Sequence, residues 1–273
     1  MSLSNHVVIV TGAGSGIGRG IALRFAEEGA AVVLADVNRS QGEAAAQACE
    51  AAGGRALFVA TDVSKAADCR MLVQKSVAAF GKVDTLVNNA GVNFVKPTLA
   101  MDEADWDRVI DVDLKGTFLC SRYVLEVMVP RSQGNIINIA SVHTLATLPE
   151  AAPYAAAKGG VEMMTKSMAI EFAPHGIRIN AVSPGLTDTQ IWADIQDAAA
   201  DAEAARQHWY DNIPMRRVQS PREVANVILF LASDAASYIT GANIFTDGGM
   251  TAQLINQARY ASKALEGQIP NQG

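Results

Sequence analysis

The 273-residue sequence has few cysteines, and their arrangement suits neither cross-linking nor metal binding. It contains three, Cys49, Cys69 and Cys120. An odd number without a C-x-x-C or Cys/His cluster argues against a disulfide framework and a zinc site. The four histidines are scattered, and no pair has metal-ligand spacing. We therefore expect no metal and a reducing, cytoplasmic setting.

Long apolar runs and blocks of basic charge are also missing. No run approaches the roughly 20 apolar residues that cross a bilayer. The opening, MSLSNHVVIVTG, has neither the basic flank nor the cleavage site of a signal peptide. The formal net charge is -6, without a Lys/Arg block, which argues against nucleic acid and anionic membranes as partners. The sequence favours an unexported protein that binds small molecules.

Short β-branched runs instead alternate with longer amphipathic segments. Apolar residues recur every three to four positions between the runs, as at Ile17, Ile21 and Phe25, and Gly29 predicts the end of that helix. The runs cover residues 6–10, 30–36, 55–62, 82–91, 134–141 and 176–185. This alternation predicts an α/β fold, a doubly wound (Rossmann-type) parallel sheet with helices on both faces. No linker interrupts it, so we expect a single domain over 1–273.

Two regions depart from the alternation. Residues 186–217 follow the last run and mix helix-forming alanines with Trp192, Trp209 and Tyr210. Insertions at the carboxyl end of such a strand often cover the ligand, so we expect a substrate lid here. Its aromatic residues either contact substrate or form the core of the lid. The second region is the tail, 250–273, where Leu254, Ala258, Ala261 and Leu265 could form one helical stripe.

A glycine-rich turn, VTGAGSGIGRG, joins the first run to the first helix. Glycines there allow a tight turn and close approach of a phosphate to a helix N-terminus. The candidate binding residues in the turn are Gly12, Ser15, Gly16, Ile17 and Gly18. Asp36, at the end of the second run, can bind the adenosine ribose hydroxyls and would repel a 2′-phosphate. We therefore expect NAD as cofactor, although Arg39 leaves NADP open.

The segment YAAAKGG places Tyr154 and Lys158 four positions apart, and thus on one face of a helix. A phenol with a pKa near 10 must lose roughly 3 units to act as a base near neutral pH. A neighbouring ammonium supplies that much only in a partly dry cleft. Ser141, 13 residues upstream at the end of a strand, could hydrogen-bond a substrate oxygen beside the phenol.

Five motifs in this order resemble the short-chain dehydrogenase/reductase family over about residues 6–249. They are Gly12-x-x-x-Gly16-x-Gly18, Asn88-Asn89-Ala90-Gly91, Ser141, Tyr154-x-x-x-Lys158 and Pro184-Gly185. The resemblance implies a seven-stranded parallel sheet, NAD(P)-dependent oxidation of an alcohol or reduction of a ketone, and a homotetramer.

The resemblance also implies residue roles. Tyr154 would be the acid/base, Ser141 would hold the substrate oxygen, and Lys158 would bind the nicotinamide ribose and lower the tyrosine pKa. Further cofactor contacts would come from Asp62 and Val63 near adenine, from Asn89 beside the cofactor, and from Pro184, Gly185, Thr187 and Thr189.

One position departs from the family pattern. The family commonly has asparagine in stretches like VxxVNLKGTF, where it helps to hold a water in a proton relay; this chain reads VIDVDLKGTF, with Asp113 there. A carboxylate accepts hydrogen bonds but cannot donate as an amide does. Asp113 either replaces the catalytic asparagine or bonds only within its own helix.

Several functions remain open at this stage. The first is NAD-dependent dehydrogenation of a sugar, polyol or other polar secondary alcohol, with candidate substrate contacts at Asn93, His143, Gln190 and Trp192. The second is reduction of bulky or aromatic ketones. The third is a cofactor-binding regulatory protein whose catalysis Asp113 impairs. A hydrolase using Ser141 and His143 is disfavoured, because no G-x-S-x-G elbow exposes the serine.

Overall fold

A single parallel sheet forms the centre of the molecule. The computed structural model describes residues 3–254. Its seven strands are hydrogen-bonded in the order β3-β2-β1-β4-β5-β6-β7. They are β1 (Val7–Thr11), β2 (Ala31–Asp36), β3 (Arg55–Ala60), β4 (Thr85–Asn88), β5 (Gly134–Ile139), β6 (Ile177–Pro184) and β7 (Asn243–Thr246). The predicted α/β fold with a seven-stranded parallel sheet is confirmed.

Helices connect the strands and cover both faces. In the described part of the chain they are α1 (Gly16–Glu27), α2 (Arg39–Ala51), α3 (Ala66–Phe80), α4 (Glu103–Val109), α5 (Gly116–Met128), α6 (Ala152–Phe172), α7 (Gln190–Asp197), α8 (Ala202–Asn212) and α9 (Pro221–Ala232). A π-helical turn, Ile110–Lys115, joins α4 to α5. Gly29 follows α1 with a positive φ of 83°, as predicted for a helix end.

The sheet is buried on both faces, which explains why its strands appear as continuous apolar runs. Successive residues of a strand point to opposite faces. Val8 and Val10 of β1 therefore join the core that includes residues of α1 and α9, whereas Ile9 joins the core that includes residues of α3 and α5. Each core excludes water from one side of the sheet, and the loops at its edges are left to form a site.

Strand β4 is shorter than the predicted run 82–91. Pairing stops at Asn88, and Asn89 turns out of the sheet. The Asn89 side chain then donates hydrogen bonds to the carbonyls of Thr11 and Gly12 at 3.0 and 3.1 Å. The strand ends early because its next residue is used to support the glycine turn.

The predicted lid contains two helices, α7 and α8, after β6. Trp192 of α7 stacks on Tyr210 of α8, with ring centroids 6.4 Å apart. The predicted helical stripe of the tail lies outside the described residues except for Leu254. Among residues 3–254, no helix has both the length and the apolar character needed to traverse a bilayer.

Candidate active site

The glycine turn between β1 and α1 is closely packed. Gly12 and Gly16 have φ values of +62° and +51°, a backbone conformation that side chains other than glycine adopt rarely. A Cβ at Gly18 would overlap the Gly12 carbonyl oxygen and lie 2.5 Å from Asn89 Nδ2. The three glycines of the motif are therefore required by the backbone itself.

Thr11 supports the same turn and was missed by sequence reasoning. Its Oγ1 accepts hydrogen bonds from the backbone N–H groups of Asn89 and Ala90, each at 3.0 Å. Together with the Asn89 amide, it fixes the end of β4 against the end of β1. A threonine at the end of a β-branched run gives no signal of this role, because the partners lie 78 and 79 residues away.

The N-terminus of α1 is suited to an anion. Ser15 is the N-cap residue, but its side chain makes no capping hydrogen bond within the described structure. The first-turn N–H groups of Gly16, Ile17 and Gly18 belong to the orphan donors of a helix start. With the helix dipole and glycines that permit close approach, they fit the pyrophosphate of a dinucleotide.

Asp36 lies beside this turn, as expected. Its carboxylate accepts hydrogen bonds from the backbone N–H groups of Gly14 and Asn38, each at 2.8 Å. A Cβ at Gly14 would lie 2.9 Å from Asp36 Oδ2. Arg39 forms an ion pair with Glu43 at 3.1 Å. A negative charge therefore borders the turn on this side, while the nearest arginine in sequence is already paired.

The segment after β3 holds the two residues expected near adenine. Asp62 accepts hydrogen bonds from the Ser64 hydroxyl at 2.6 Å and from the Ser64 N–H at 3.1 Å. The Ser64 hydroxyl, assisted by Lys65, holds the pKa of the Asp62 carboxyl below its ordinary value. Val63 is buried, and a Cβ at Gly116 would lie 2.7 Å from its Cγ2. Both residues are held in fixed positions at the carboxyl edge of the sheet.

Tyr154 and Lys158 share one face of α6, as their spacing predicts. Lys158 Nζ lies 5.5 Å from the centroid of the Tyr154 ring. The lysine is buried and donates a hydrogen bond to the Ile139 carbonyl at 3.1 Å. The His143 ring meets the Tyr154 ring edge-on at 5.1 Å between centroids. Burial lowers the pKa of His143, so its imidazole is neutral near pH 7.

Asp113 does not bond only within its own helix. The π-helical turn Ile110–Lys115 carries it, and such turns are frequent at functional sites. Its carboxylate is fully buried, accepts a hydrogen bond from Val92 N–H at 2.8 Å on Oδ1, and lies 3.2 Å from Lys158 Nζ through Oδ2. Asp113 and the Tyr154–Lys158 pair therefore belong to one cluster.

Ser141 lies where β5 ends and is almost completely buried. Its Oγ accepts a hydrogen bond from His143 N–H at 3.2 Å, which fixes the start of the short 3₁₀ turn Val142–Thr144. That turn packs against α6, the helix of Tyr154. Because the serine oxygen is used as an acceptor, its own proton is available for a substrate oxygen.

The loop after β6 connects the cofactor side to the lid. A Cβ at Gly185 would lie 2.9 Å from Asp247 Cα, so only glycine fits there. Thr187 is buried, and its Oγ1 donates to the Gly185 carbonyl at 3.2 Å. Thr189 precedes α7, and a Cβ at Gly16 would lie 3.4 Å from its Cγ2. The structure thus brings the start of the lid to the glycine turn.

The candidate substrate residues have different surroundings. His143 contacts Tyr154, as described. Asn93 and Gln190 are exposed, and Gln190 donates to Asp194 Oδ1 at 2.9 Å. Trp192 is only 4% exposed and stacks on Tyr210, which favours the alternative that it forms the lid core. Contact between these residues and a substrate stays a prediction.

A buried polar chain behind the site was also missed. The Asn88 amide donates to Ser121 Oγ at 2.9 Å and to Asn138 Oδ1 at 2.8 Å, and the Asn138 amide donates to Thr165 Oγ1 at 2.9 Å. These bonds tie β4 and β5 to α5 and α6. Asn88 Oδ1 has no hydrogen-bond partner among the described residues. The remaining bonds hold together the elements that carry Ser141, Tyr154 and Lys158.

Comparison with known proteins finds similarity over most of the chain. A family model described as enoyl-(acyl carrier protein) reductase matches residues 12–251. The cis-4-hydroxycyclohexanecarboxylate dehydrogenase of Sinomonas cyclohexanicum is 42% identical over 252 residues, covering 92% of this chain and 98% of the relative. The (2S)-[(R)-hydroxy(phenyl)methyl]succinyl-CoA dehydrogenase subunit BbsD of Thauera aromatica is 39% identical over 249 residues, covering 91% and 98%.

Solved structures agree with these matches. The crystal structure of levodione reductase has a TM-score of 0.87 at 34% identity, and the alignment covers 91% of this chain and 98% of that one. A short-chain type dehydrogenase/reductase from Mycobacterium marinum has a TM-score of 0.86 at 34% identity, covering 92% and 98%.

Proposed function

Because the chain belongs to the short-chain dehydrogenase/reductase family, whose members use a nicotinamide cofactor, we propose that it interconverts a polar secondary alcohol and its ketone with NAD. The observation that carries the proposal is the cluster of Tyr154, Lys158 and His143 on α6 and the turn after β5. It lies at the carboxyl ends of the strands, the same edge as the anion-binding turn of α1, where open α/β sheets bind ligands.

The chain's own residues have distinct tasks in this proposal. When bound, the nicotinamide supplies the hydride acceptor or donor. Ser141 donates a hydrogen bond to the substrate oxygen. Tyr154 takes the hydroxyl proton during alcohol oxidation and returns it during ketone reduction. The Lys158 ammonium stabilises the phenolate, and it can do so because burial strengthens its charge interactions.

The carboxylate at Asp36 supports NAD rather than NADP. It borders the glycine turn, where a 2′-phosphate would be repelled, and Arg39 is engaged by Glu43. The other proposed cofactor contacts are those at Gly12, Ser15, Gly16, Ile17, Gly18, Asp62, Val63, Asn89, Tyr154, Lys158, Pro184, Gly185, Thr187 and Thr189. We expect NADH to quench protein fluorescence at lower concentration than NADPH; tighter binding of NADPH would overturn the assignment.

Replacing Tyr154 by Phe tests the mechanism. The variant should lose about 10³-fold in kcat, because general acid/base catalysis contributes on this scale. NADH binding should stay nearly intact, because Tyr154 is only one of many proposed cofactor contacts. Tyr238→Phe is the matched control, since Tyr238 is fully exposed on the surface, and it should leave kcat unchanged. Turnover of the Tyr154→Phe variant near the wild-type rate would rule out the proposed acid/base.

Bulky or cyclic substrates are a second candidate. The segment between Ser141 and Tyr154 exposes Leu145 and Leu148, and the lid exposes Ile191, so apolar side chains flank the catalytic residues. Relatives named for hydroxycyclohexanecarboxylate and levodione support a ring. A panel of polyols, cyclic secondary alcohols and aromatic ketones, assayed in both directions, decides between the candidates by kcat/KM.

Assembly and compartment are proposed on separate grounds. Phe118 of α5 and Met163 and Ile170 of α6 are exposed apolar side chains, and covering them would favour a homotetramer, which light scattering can measure.

Cys69 and Cys120 are free thiols although their sulfurs lie 3.5 Å apart, which supports a reducing, cytoplasmic setting. We further propose that the full chain, 1–273, functions as one domain.

A further inference from the structure

We propose that Asp113 is a positioning residue that keeps Lys158 charged and in place beside Tyr154, so that the site works at higher pH than it would with an amide at position 113. The inference rests on the proposed function, since it assigns Lys158 and Tyr154 their catalytic tasks. It also makes a prediction about Lys158 alone, which is independent of turnover.

A backbone N–H and an ammonium converge on the Asp113 carboxylate. Val92 N–H donates to Oδ1 at 2.8 Å, and the Lys158 ammonium lies 3.2 Å from Oδ2. An asparagine has one acceptor oxygen and a donor NH₂ group. Whichever way its amide turned, the NH₂ would face either the Val92 N–H or the ammonium. A carboxylate can accept from the Val92 N–H on one oxygen and pair with the ammonium through the other.

The Lys158 ammonium forms an ion pair with Asp113 Oδ2. Within residues 3–254, this buried oxygen makes no hydrogen bond. A Cβ at Gly91 would lie 2.9 Å from Oδ2 and 3.4 Å from Lys158 Nζ. The pair is thus enclosed by a glycine that has no room for a side chain, and a buried carboxylate of this kind is costly unless it is paired.

The charged surroundings of the pair are simple. The titratable group that faces the pair is Tyr154, on the same helix as Lys158. The His143 ring, in the turn after β5, contacts the other two residues only through Tyr154. Burial lowers the pKa of His143, which is therefore neutral in the working range. Four pairs of charged groups on the neighbouring elements bind each other: Asp111 with Lys115, Lys96 with Asp105, Arg122 with Glu126, and Glu162 with Lys166. The remaining carboxylates there, Asp102, Glu103, Asp107 and Glu171, are exposed to solvent. Arg108 lies over Phe94.

The buried charge of Asp113 determines the direction in which the pH profile should shift. Burial by itself lowers the pKa of Lys158, but the Asp113 carboxylate outweighs burial and raises that pKa above its ordinary value. Removing the carboxylate leaves burial unopposed, so Lys158 loses its proton at lower pH. The alkaline limb of a pH profile, where Lys158 loses its proton, should therefore move towards lower pH.

Asp113→Asn tests the inference through the pH dependence of kcat/KM for alcohol oxidation. We expect the alkaline limb to shift to lower pH by at least about one unit, the effect of one charge in a partly dry site. Asp84→Asn is the matched control. Asp84 is also a buried carboxylate that accepts from a backbone N–H, that of Val7 at 2.9 Å, and pairs with a lysine, Lys82 at 2.8 Å. It lies before β4, at the opposite edge of the sheet, and should lower stability without moving either limb.

An unchanged or alkaline-shifted profile of Asp113→Asn would overturn the inference, as would the same shift in Asp84→Asn. Higher activity of Asp113→Asn at every pH would support the impaired regulatory protein instead. NMR of ¹³C-labelled lysine side chains follows the Lys158 titration without turnover, and its midpoint should fall in Asp113→Asn. A shifted Lys158 titration in a protein without dehydrogenase activity would contradict the proposed function but retain the inference.

Discussion

The proposed cofactor site requires glycine at position 18, because even the methyl group of alanine does not fit there. A Cβ at Gly18 has no direction in which to yield, since it meets the Gly12 carbonyl and the Asn89 amide. Both belong to the ends of neighbouring strands. The site therefore depends on Gly18 through packing, before any contact with a cofactor is considered.

Gly18→Ala is expected to lower the free energy of unfolding by about 1–3 kcal/mol, the usual cost of overpacking. NADH affinity should fall at least tenfold, because the α1 N-terminus must move. Calorimetry and fluorescence titration measure the two effects. The control is Gly159→Ala in α6, where a Cβ meets nothing within 4 Å. Alanine there should be neutral or stabilise by up to about 1 kcal/mol; equal losses in both variants would contradict the packing argument.

Residue spacing predicted the neighbours on α6 but not the third member of the cluster. Positions four apart share a helix face, so Tyr154 and Lys158 could be paired from sequence alone. Asp113 is 45 residues from Lys158, and its side chain reaches the lysine from a π-helical turn on another part of the chain. No local periodicity reports such a contact. Thr11 and the Asn88–Asn138 chain were missed for the same reason.

At the scale of elements, side-chain contacts fix the start of α9. Ser220 accepts from Glu223 N–H, and the Glu223 carboxylate accepts from Ser220 N–H at 2.8 Å, which forms a capping box. Arg217 contacts both carboxylate oxygens, at 2.9 and 2.6 Å, and together with the Ser220 N–H it lowers the pKa of Glu223 to about 2. The helix that packs on α1 is thus fixed where the lid region ends.

Ser220→Ala should lower the free energy of unfolding by about 1 kcal/mol, the usual cost of losing an N-cap. Ser167→Ala is the control, because Ser167 is an exposed residue inside α6, where alanine is at least as good a helix former. Thermal unfolding of both variants measures the difference. A loss in Ser167→Ala as large as that in Ser220→Ala would show that the cap contributes nothing.

Strands and helices could be located from sequence where their burial produces a regular pattern of apolar residues. Strands buried on both faces, such as β1 and β2, stand out as apolar runs, and their positions were predicted to within a few residues. The lid was predicted only as a region, because α7 and α8 are short and α8 has no buried residue to produce a stripe. The end of β4 could not be predicted, since Asn89 leaves the strand to make tertiary bonds.

For the molecule as a whole, acid stability depends on a buried carboxylate at the amino edge of the sheet. Asp84 binds Val7 N–H, Lys82 and Arg131, at 2.9, 2.8 and 2.7 Å. Burial raises the pKa of its carboxyl, but these hydrogen bonds outweigh burial and hold that pKa below its ordinary value. Its contribution is therefore fully present above the unfolded value of about 3.9 and is lost as the pH falls through the lower folded value.

Asp84→Asn should lower the free energy of unfolding at pH 7 by about 2 kcal/mol, because the buried side chain loses its charge-assisted hydrogen bonds to Val7 N–H and to two partly exposed cations. The gap to the wild type should narrow as the pH falls below about 4, where the wild-type carboxyl begins to take up its proton. Urea unfolding at several pH values measures this. Asp111→Asn, which removes an exposed pair with Lys115, should change stability by less than about 1 kcal/mol at every pH. A pH-independent gap for Asp84→Asn would contradict the linkage.

The order of the strands also determines how the chain can assemble. β2 and then β3 add outward on one side of β1, and β4 to β7 add outward on the other. Each new strand therefore joins a free edge, and none has to be inserted between two strands already paired. During synthesis from the N-terminus, the glycine turn and Asp36 can be in place before the segment that carries Tyr154 has left the ribosome. The half with the proposed adenosine contacts is complete first, and the half with the proposed catalytic residues is added to it.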